Sequence, residues 1–208
     1  MHIAVASYKG GVGKTTTAVH VAAYLNTVAP TVLLDADRTR NATEWSERGE
    51  GFPFDVADVA SAMRLAGKYT HSVVDTGQQP TEKDLKALAE GCDLLIIPAA
   101  AVAGSDTDGL RQTIEALQRM NETRYRVLIT KAPPPPETEA QQLKAMLEKL
   151  KVPVFKTTVP RLKAFSKASA SGCLVMQADD SRAARAWEAY KAVGKEIVTY
   201  ARSQQKSA

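Results

Sequence analysis

Lys9-Gly10-Gly11-Val12-Gly13-Lys14-Thr15-Thr16 is the stretch on which the fold turns. His2-Ile3-Ala4-Val5-Ala6-Ser7 precedes it, a short apolar segment of β character. Thr17 to Leu25 follows, with Ala18, Val21, Ala22 and Leu25 at helical spacing. A glycine-rich turn between a buried strand and a helix start is the setting of a phosphate-binding loop. Glycines let the backbone curl so that several N–H groups point inward, where side chains would block the phosphates. The helix start adds unpaired N–H groups and the positive end of its dipole. In such a loop Lys14 reaches the β- and γ-phosphates, and the Thr15 hydroxyl ligates Mg²⁺.

The loop departs from the plain pattern G-x-x-x-x-G-K-[ST]. Tyr8 stands where the first glycine of that pattern falls. The glycines cluster instead at Gly10 and Gly11, and an extra lysine, Lys9, precedes them. This is the deviant form of the motif. Glycine-lysine clusters also occur in ordinary surface turns, but the flanking strand, the helix and the Thr pair argue against that here.

The chain has 208 residues, of which 44% are hydrophobic and 24% charged, which suits one globular domain with one substantial core. No apolar run approaches the ~18 residues of a membrane span, and no signal peptide is expected ahead of the first strand. Cys92 and Cys173 are far apart, which favours reduced, buried thiols over a disulfide or a metal site. The net charge is +4, but unevenly spread. From Lys149 onward there are twelve Lys/Arg against four Asp/Glu, a net of +8, so the rest of the chain carries −4. That asymmetry suggests a polyanionic partner for the C-terminal third, although a solvated helix face would look the same.

Val32-Leu33-Leu34 reads as a buried strand ending in Asp35-Ala36-Asp37, and Ser72-Val73-Val74-Asp75 as another. Acids at the carboxyl ends of parallel strands lie where ligands sit. Asn41 to Arg48 reads as a short helix with Trp45 as a packing residue. Phe52 to Val56 suggests a short strand and Val59 to Gly67 a helix stopped by glycine. Thr76 to Pro80 reads as a loop, and Thr81 caps the next helix with Asp84 at the capping-box position. Leu94-Leu95-Ile96-Ile97-Pro98 lacks polar alternation, as a central parallel strand does. Asp106 to Met120 is an amphipathic helix, Arg126 to Thr130 a strand, and the four prolines 133–136 a stiff connector. Glu137 to Leu150 reads as a helix, Pro153-Val154-Phe155 as a strand, Leu162 to Ser171 as a helix with Lys163 and Lys167 on one face, and Arg182 to Tyr200 as a closing helix. This alternation predicts an α/β fold: a doubly wound, mostly parallel sheet with helices on both faces, forming a single P-loop domain over 1–208.

Taken together, the pattern resembles the ParA/MinD group of deviant-Walker ATPases, most closely the short ParA-type partition proteins, over nearly the whole chain. Lys9 matches the signature lysine. Asp35-Ala36-Asp37 with Asn41-Ala42-Thr43, then Val73-Val74-Asp75-Thr76, then Thr158-Val159-Pro160-Arg161 with the basic helix after it, match the later motifs. The resemblance implies an ATP- and Mg²⁺-dependent ATPase that closes as a homodimer around nucleotide. Lys9 would cross to the partner's phosphates, Lys14 would hold them in cis, and Thr15 would ligate Mg²⁺ with Asp35 and Asp75 near the ion. Asp37 would position the attacking water. Gly10, Gly11, Val12, Gly13 and Thr16 would line the phosphates, and Lys131, Pro160 and Arg161 the adenine. It further implies binding of nonspecific DNA, with Arg161, Lys163, Lys167, Lys191, Lys195 and Arg202 as candidates. A ParB-like or other cargo adaptor would stimulate slow hydrolysis, in a cytoplasmic, nucleoid-associated protein that positions a plasmid, a chromosome or a protein body such as a carboxysome.

Three positions depart from the family: Arg38-Thr39 where Pro-Gln is usual, Gly77 where proline follows the Asp-Thr pair, and Thr130-Lys131 where an asparagine is usual. Three other readings stay open at this stage. A nucleotide-switched adaptor with negligible turnover is one, although intact Lys9, Lys14 and Asp37 argue for some hydrolysis. A MinD-like membrane ATPase would need an amphipathic C-terminal anchor, which the polar stretch 201–208 does not resemble. A metabolic enzyme on the same scaffold would leave the basic C-terminal third without a purpose, and an iron–sulfur member would need closely spaced cysteines.

Overall fold

The computed structural model describes residues 1–65, 67–77, 80–102 and 108–205. The expected loop residues Gln78 and Gln79, the expected helix start at Asp106, and the terminal 206–208 lie outside the described residues. Among the described residues six strands form one parallel sheet: β1 (His2–Val5), β2 (Thr31–Ala36), β3 (Asp55–Asp58), β4 (His71–Thr76), β5 (Leu94–Ala100) and β6 (Tyr125–Thr130), in the order β3-β2-β4-β1-β5-β6. The helices are α1 (Lys14–Asn26), α2 (Asn41–Glu47), α3 (Ala62–Leu65), α4 (Glu82–Gly91), α5 (Asp108–Arg119), α6 (Glu139–Lys149), α7 (Lys163–Ala170) and α8 (Ala183–Gln205). The doubly wound α/β architecture expected from the alternation is therefore present.

Strand alternation divides the core between two layers. Ile3, Val5, Leu94 and Ile96 face α1, α2, α7 and α8, while Ala4, Ala6, Leu95 and Ile97 face α4, α5 and α6. Helix α1 is buried almost all round from Thr17 to Ala23, because it lies between the sheet and α8. The predicted inner set of α8 (Ala186, Tyr190, Val193, Ile197) is buried. Trp45 is a packing residue, as expected, and its indole N–H donates to the Cys173 carbonyl at 3.0 Å. Both cysteines are free thiols; Cys92 is buried and Cys173 only half-buried.

Three elements differ from the sequence reading. Pro153-Val154-Phe155 does not become a strand but makes one isolated parallel bridge, Val154 to Val127. Pro153 has no N–H; the Phe155 N–H still donates to the Val127 carbonyl at 3.0 Å, but the N–H groups of Lys156 and Thr157 beyond it are taken by the Glu196 carboxylate at 2.8 Å each, so the ladder does not extend. Pairing in β3 begins at Asp55 rather than Phe52, since Phe52 and Phe54 are drawn into the aromatic cluster around Trp45 and the Pro53 carbonyl accepts from Asn26. The expected helix from Val59 to Gly67 begins as a 3-10 turn over Val59–Ser61, capped by Asp58, before α3.

Candidate functional site

The loop joining β1 to α1 lies at the carboxyl end of the sheet, beside strands on both sides of β1. Gly11 and Gly13 take φ of +71° and +91°, a left-handed backbone that strains any residue with a Cβ. Gly13 precedes the first turn of α1, and no side chain caps that turn, so its N–H groups face the loop for an anion to use. Val12 is buried, and its carbonyl accepts a 2.7 Å hydrogen bond from the Thr130 hydroxyl at the end of β6. Lys9 is half-buried; its N–H donates to the Ser7 hydroxyl at 3.2 Å. Its side chain runs so close to α5 that a Cβ on Gly109 would stand 3.0 Å from the Lys9 Cβ. Lys14 is buried, and burial lowers its pKa, partly opposed by the charges of Asp75 and Asp37.

The three acids converge through sheet register. Asp35 on β2 is the cross-strand neighbour of Asp75 on β4, which neighbours Val5 of β1. The Asp35 carboxylate is largely consumed by the protein: one oxygen accepts from the Asp37 N–H, the other from the Thr43 N–H and hydroxyl at 2.9 and 2.7 Å. It therefore fixes the turn between β2 and α2. One oxygen of Asp37 is held by the Thr39 N–H at 3.0 Å, and among the described residues the other meets only the Asn41 amide at 3.4 Å. Asp75 is fully buried, and neither of its oxygens has a hydrogen-bond partner among the described residues. Burial raises its pKa to about 7; the nearby Thr15 hydroxyl favours the charge without completing a hydrogen bond, and Asp35 opposes it. A buried carboxylate without donors, beside a hydroxyl and uncapped loop N–H groups, fits a hard cation bridging to phosphate. Among the described residues no group of three or more His, Cys, Asp or Glu is arranged to hold a metal, so the remaining ligands would be phosphate oxygens and waters.

Gly13 and Thr16 share a cleft of about 360 Å³ with Lys131, Pro160, Arg161, Leu162 and Phe165. The three residues expected at the base thus gather beside the phosphate loop. Parallel bridging of Ala132 to Pro160 brings them there, and Arg161 donates its N–H to the Ala132 carbonyl. The six residues expected at DNA are not one cluster. Arg161 lines the cleft and pairs with Glu137 at 3.2 Å, and Lys167 pairs with Asp180 on the α7 side. Lys163 shares the outer face of α7. Lys191 pairs with Glu188, whereas Lys195 lines a different pocket towards the other end of α8, and Arg202 lies further along that helix.

Several supporting residues gave no signal in the sequence. Thr130 stood out only as a departure, yet it anchors the loop. His20 of α1 is buried in an aromatic cage of Trp45, Phe165, Trp187 and Tyr190. Its Nδ1–H donates to the Thr16 carbonyl at 2.7 Å and its Nε2 accepts from the Val175 N–H at 3.1 Å, which fixes the neutral tautomer. Tyr190 bonds the Thr17 hydroxyl, so the phosphate helix is tied to α8 by polar contacts as well as by packing.

The profile of the family described as CobQ/CobB/MinD/ParA nucleotide binding domain matches residues 3–175. A relative from Gloeobacter kilaueensis named Maintenance of carboxysome distribution protein A is 32% identical over 201 residues, covering 94% of this chain and 93% of that one. Among solved structures, Cyanothece McdA in complex with ATP superposes with a TM-score of 0.69 at 19% identity, over 93% of this chain and 96% of that one. A plasmid partition protein from Borrelia burgdorferi bound to AMPPNP gives 0.74 at 17% identity, over 95% and 98%.

Proposed function

The chain belongs to the CobQ/CobB/MinD/ParA nucleotide-binding family, and from that premise we propose that it is a ParA-type ATPase that positions a protein body of the carboxysome kind. In this reading it binds ATP with Mg²⁺, closes as a homodimer, holds nonspecific DNA, and lets go when an adaptor on the cargo stimulates hydrolysis. It would work in the cytoplasm on the nucleoid. The choice of cargo over a plasmid or a chromosome is supported by the name of the Gloeobacter relative. No helix among the described residues is long and apolar enough to cross a membrane.

The observation that carries the reading is the second lysine of the loop. Lys14 is the buried lysine of the loop, and Lys9 is a second, half-buried one, its backbone N–H held by the Ser7 hydroxyl and its Cβ close to Gly109. A second lysine on the loop suits another subunit's phosphates, in the manner of an arginine finger. Mg²⁺, when bound, supplies positive charge against the charge developing on the phosphoryl oxygens. Thr15 and Asp75 would hold it, with Asp35 shaping the turn behind them. Lys14 and the N–H groups of Gly11 to Thr16 bind the phosphates. Asp37 offers its less-engaged oxygen to the attacking water and orients it.

The test is Lys9→Ala in the full chain, followed by light scattering with and without ATP and Mg²⁺ and by phosphate release with DNA present. The wild type should dimerise with ATP and turn over slowly, while the variant binds ATP but stays monomeric and inactive. A variant that dimerises and hydrolyses like the wild type would remove the basis of the proposal.

A further inference from the structure

A second concave site lies towards the opposite end of the strands. It has a volume of about 420 Å³, and Arg126, Lys156, Lys195, Glu196 and Tyr200 line it. Arg126 precedes Thr130 by four residues on β6, so roughly 13 Å of strand separates it from the residue that anchors the phosphate loop. The site is therefore separate from the nucleotide cleft.

Its charge is unbalanced. Glu196 is the acid among the lining residues, and both its oxygens accept backbone N–H groups, from Lys156 and Thr157. Arg126, Lys156 and Lys195 make no ion pair among the described residues, whereas Arg124, Lys167 and Lys191 nearby in sequence are each paired with an acid. Lys144 adds a fourth cation at the rim, its ammonium donating to the Lys156 carbonyl at 2.8 Å. The Arg126 guanidinium lies 5.1 Å over the centre of the Tyr200 ring, which fixes its plane. Like charges gathered in a concavity repel one another until an anion enters, and a planar guanidinium flanked by ammonium groups matches phosphate oxygens. The positive stripe also continues along α8, since Arg202 lies seven residues beyond Lys195 on the same side. An extended row of cations suits a row of phosphates better than a single ion.

We propose that this pocket grips phosphates of the DNA backbone through Arg126, Lys156 and Lys195. The inference rests on the reading of the chain as a DNA-binding ATPase and assigns the contact to residues of β6, the segment after Val154, and α8. Because the pocket stands away from the phosphate loop, DNA and nucleotide occupy the protein together.

The experiment measures affinity for a random-sequence duplex by fluorescence anisotropy across salt concentrations, using the full chain with ATP and Mg²⁺. The probe proteins are the wild type, the triple variant R126Q/K156Q/K195Q, and K195R. Each lost phosphate contact lowers the slope of log affinity against log salt by about 0.9, so the triple variant should be shallower by roughly 2–3. Its ATP-dependent dimerisation should persist, and K195R should keep the wild-type slope. If the triple variant fails to fold, the single K195Q, on the exposed side of α8, should still lower the slope by about 0.9. Wild-type binding with an unchanged slope in the variants overturns this assignment and leaves the ATPase reading standing. Absence of DNA binding by the wild type overturns both. Millimolar inorganic phosphate that raises the melting temperature of the wild type but not of the triple variant, with DNA affinity equal in the two, reassigns the pocket to a free anion and also overturns the proposal.

Discussion

Replacing Asp75 by asparagine should stabilise the nucleotide-free protein, and by an amount that grows with pH. Asp75 is fully buried without hydrogen-bond donors, and burial lifts its pKa from 3.8 to about 7. The unfolded chain ionises this carboxyl near the ordinary value, so between the two values the folded state binds the extra proton. Stability from the protonated form is complete below 3.8 and is lost as the pH rises through about 7. The whole difference amounts to roughly 4 kcal/mol. About 1.5 kcal/mol of that is already felt at pH 5, so the advantage of the uncharged asparagine should increase by roughly 2–3 kcal/mol between pH 5 and pH 8. For a chain of this size that corresponds to a further ~5–10 °C in melting temperature. Differential scanning calorimetry of the wild type and D75N in EDTA, without nucleotide, at both pH values reads the quantity directly, because other titrating groups cancel in the comparison. Equal differences at pH 5 and pH 8 would refute the claim that Asp75 is a desolvated, unpartnered acid. In the presence of ATP and Mg²⁺ the order should invert, since the asparagine cannot supply the negative ligand.

Lys14→Ala should reduce ATP affinity by at least two orders of magnitude in a calorimetric titration while leaving the melting temperature without nucleotide near the wild-type value, because the buried ammonium already costs desolvation. Gly172→Ala should cost about 2–4 kcal/mol in urea unfolding, since the residue sits at φ +68° and the added Cβ would run into the backbone nitrogen of Gly49, which has nowhere to yield. His20, held neutral with a pKa near 4 by burial, should make the wild type lose roughly 3 kcal/mol as the pH falls from 6.5 to 4, because the unfolded chain takes up the proton first; His20→Gln should flatten that part of the stability profile relative to the wild type.

The fold was legible because its deciding signals are local. An apolar run such as Leu94 to Ile97, bounded by turn residues, reads as a strand buried on both faces, and a glycine turn leading into Lys14-Thr15 between a strand and an apolar helical pattern reads as a helix start. Where the reading failed, a distant group had captured the local hydrogen-bonding capacity. Glu196 lies forty residues beyond Lys156, yet it takes the two N–H groups that would have extended a seventh strand. The site divides in the same way. Lys9, Lys14, Thr15 and the three aspartates carry chemistry in their identities and were visible. Thr130, His20 and Gly109 act through where the fold brings them, and nothing in their own neighbourhoods announces it. The basic residues were visible as charge but not as a surface, since Lys167, Lys191 and Arg161 turn out to be ion-paired, while Arg126, which lies over Tyr200, and Lys156 make no ion pair among the described residues.

Desolvation acts on both buried charges of the phosphate loop. Lys14 is pushed towards its neutral amine and Asp75 towards its neutral acid by the same desolvation, and each only partly relieves the other. Register holds Asp35 beside Asp75, and Asp35 already spends its oxygens on Asp37 and Thr43, so the repulsion between them cannot relax by turning away. A triphosphate would restore full charge to Lys14, and a divalent cation would do so for Asp75. Either alone leaves one of the two uncompensated. The binding of nucleotide and of metal should therefore be mutually dependent: each should raise the affinity for the other by the same factor.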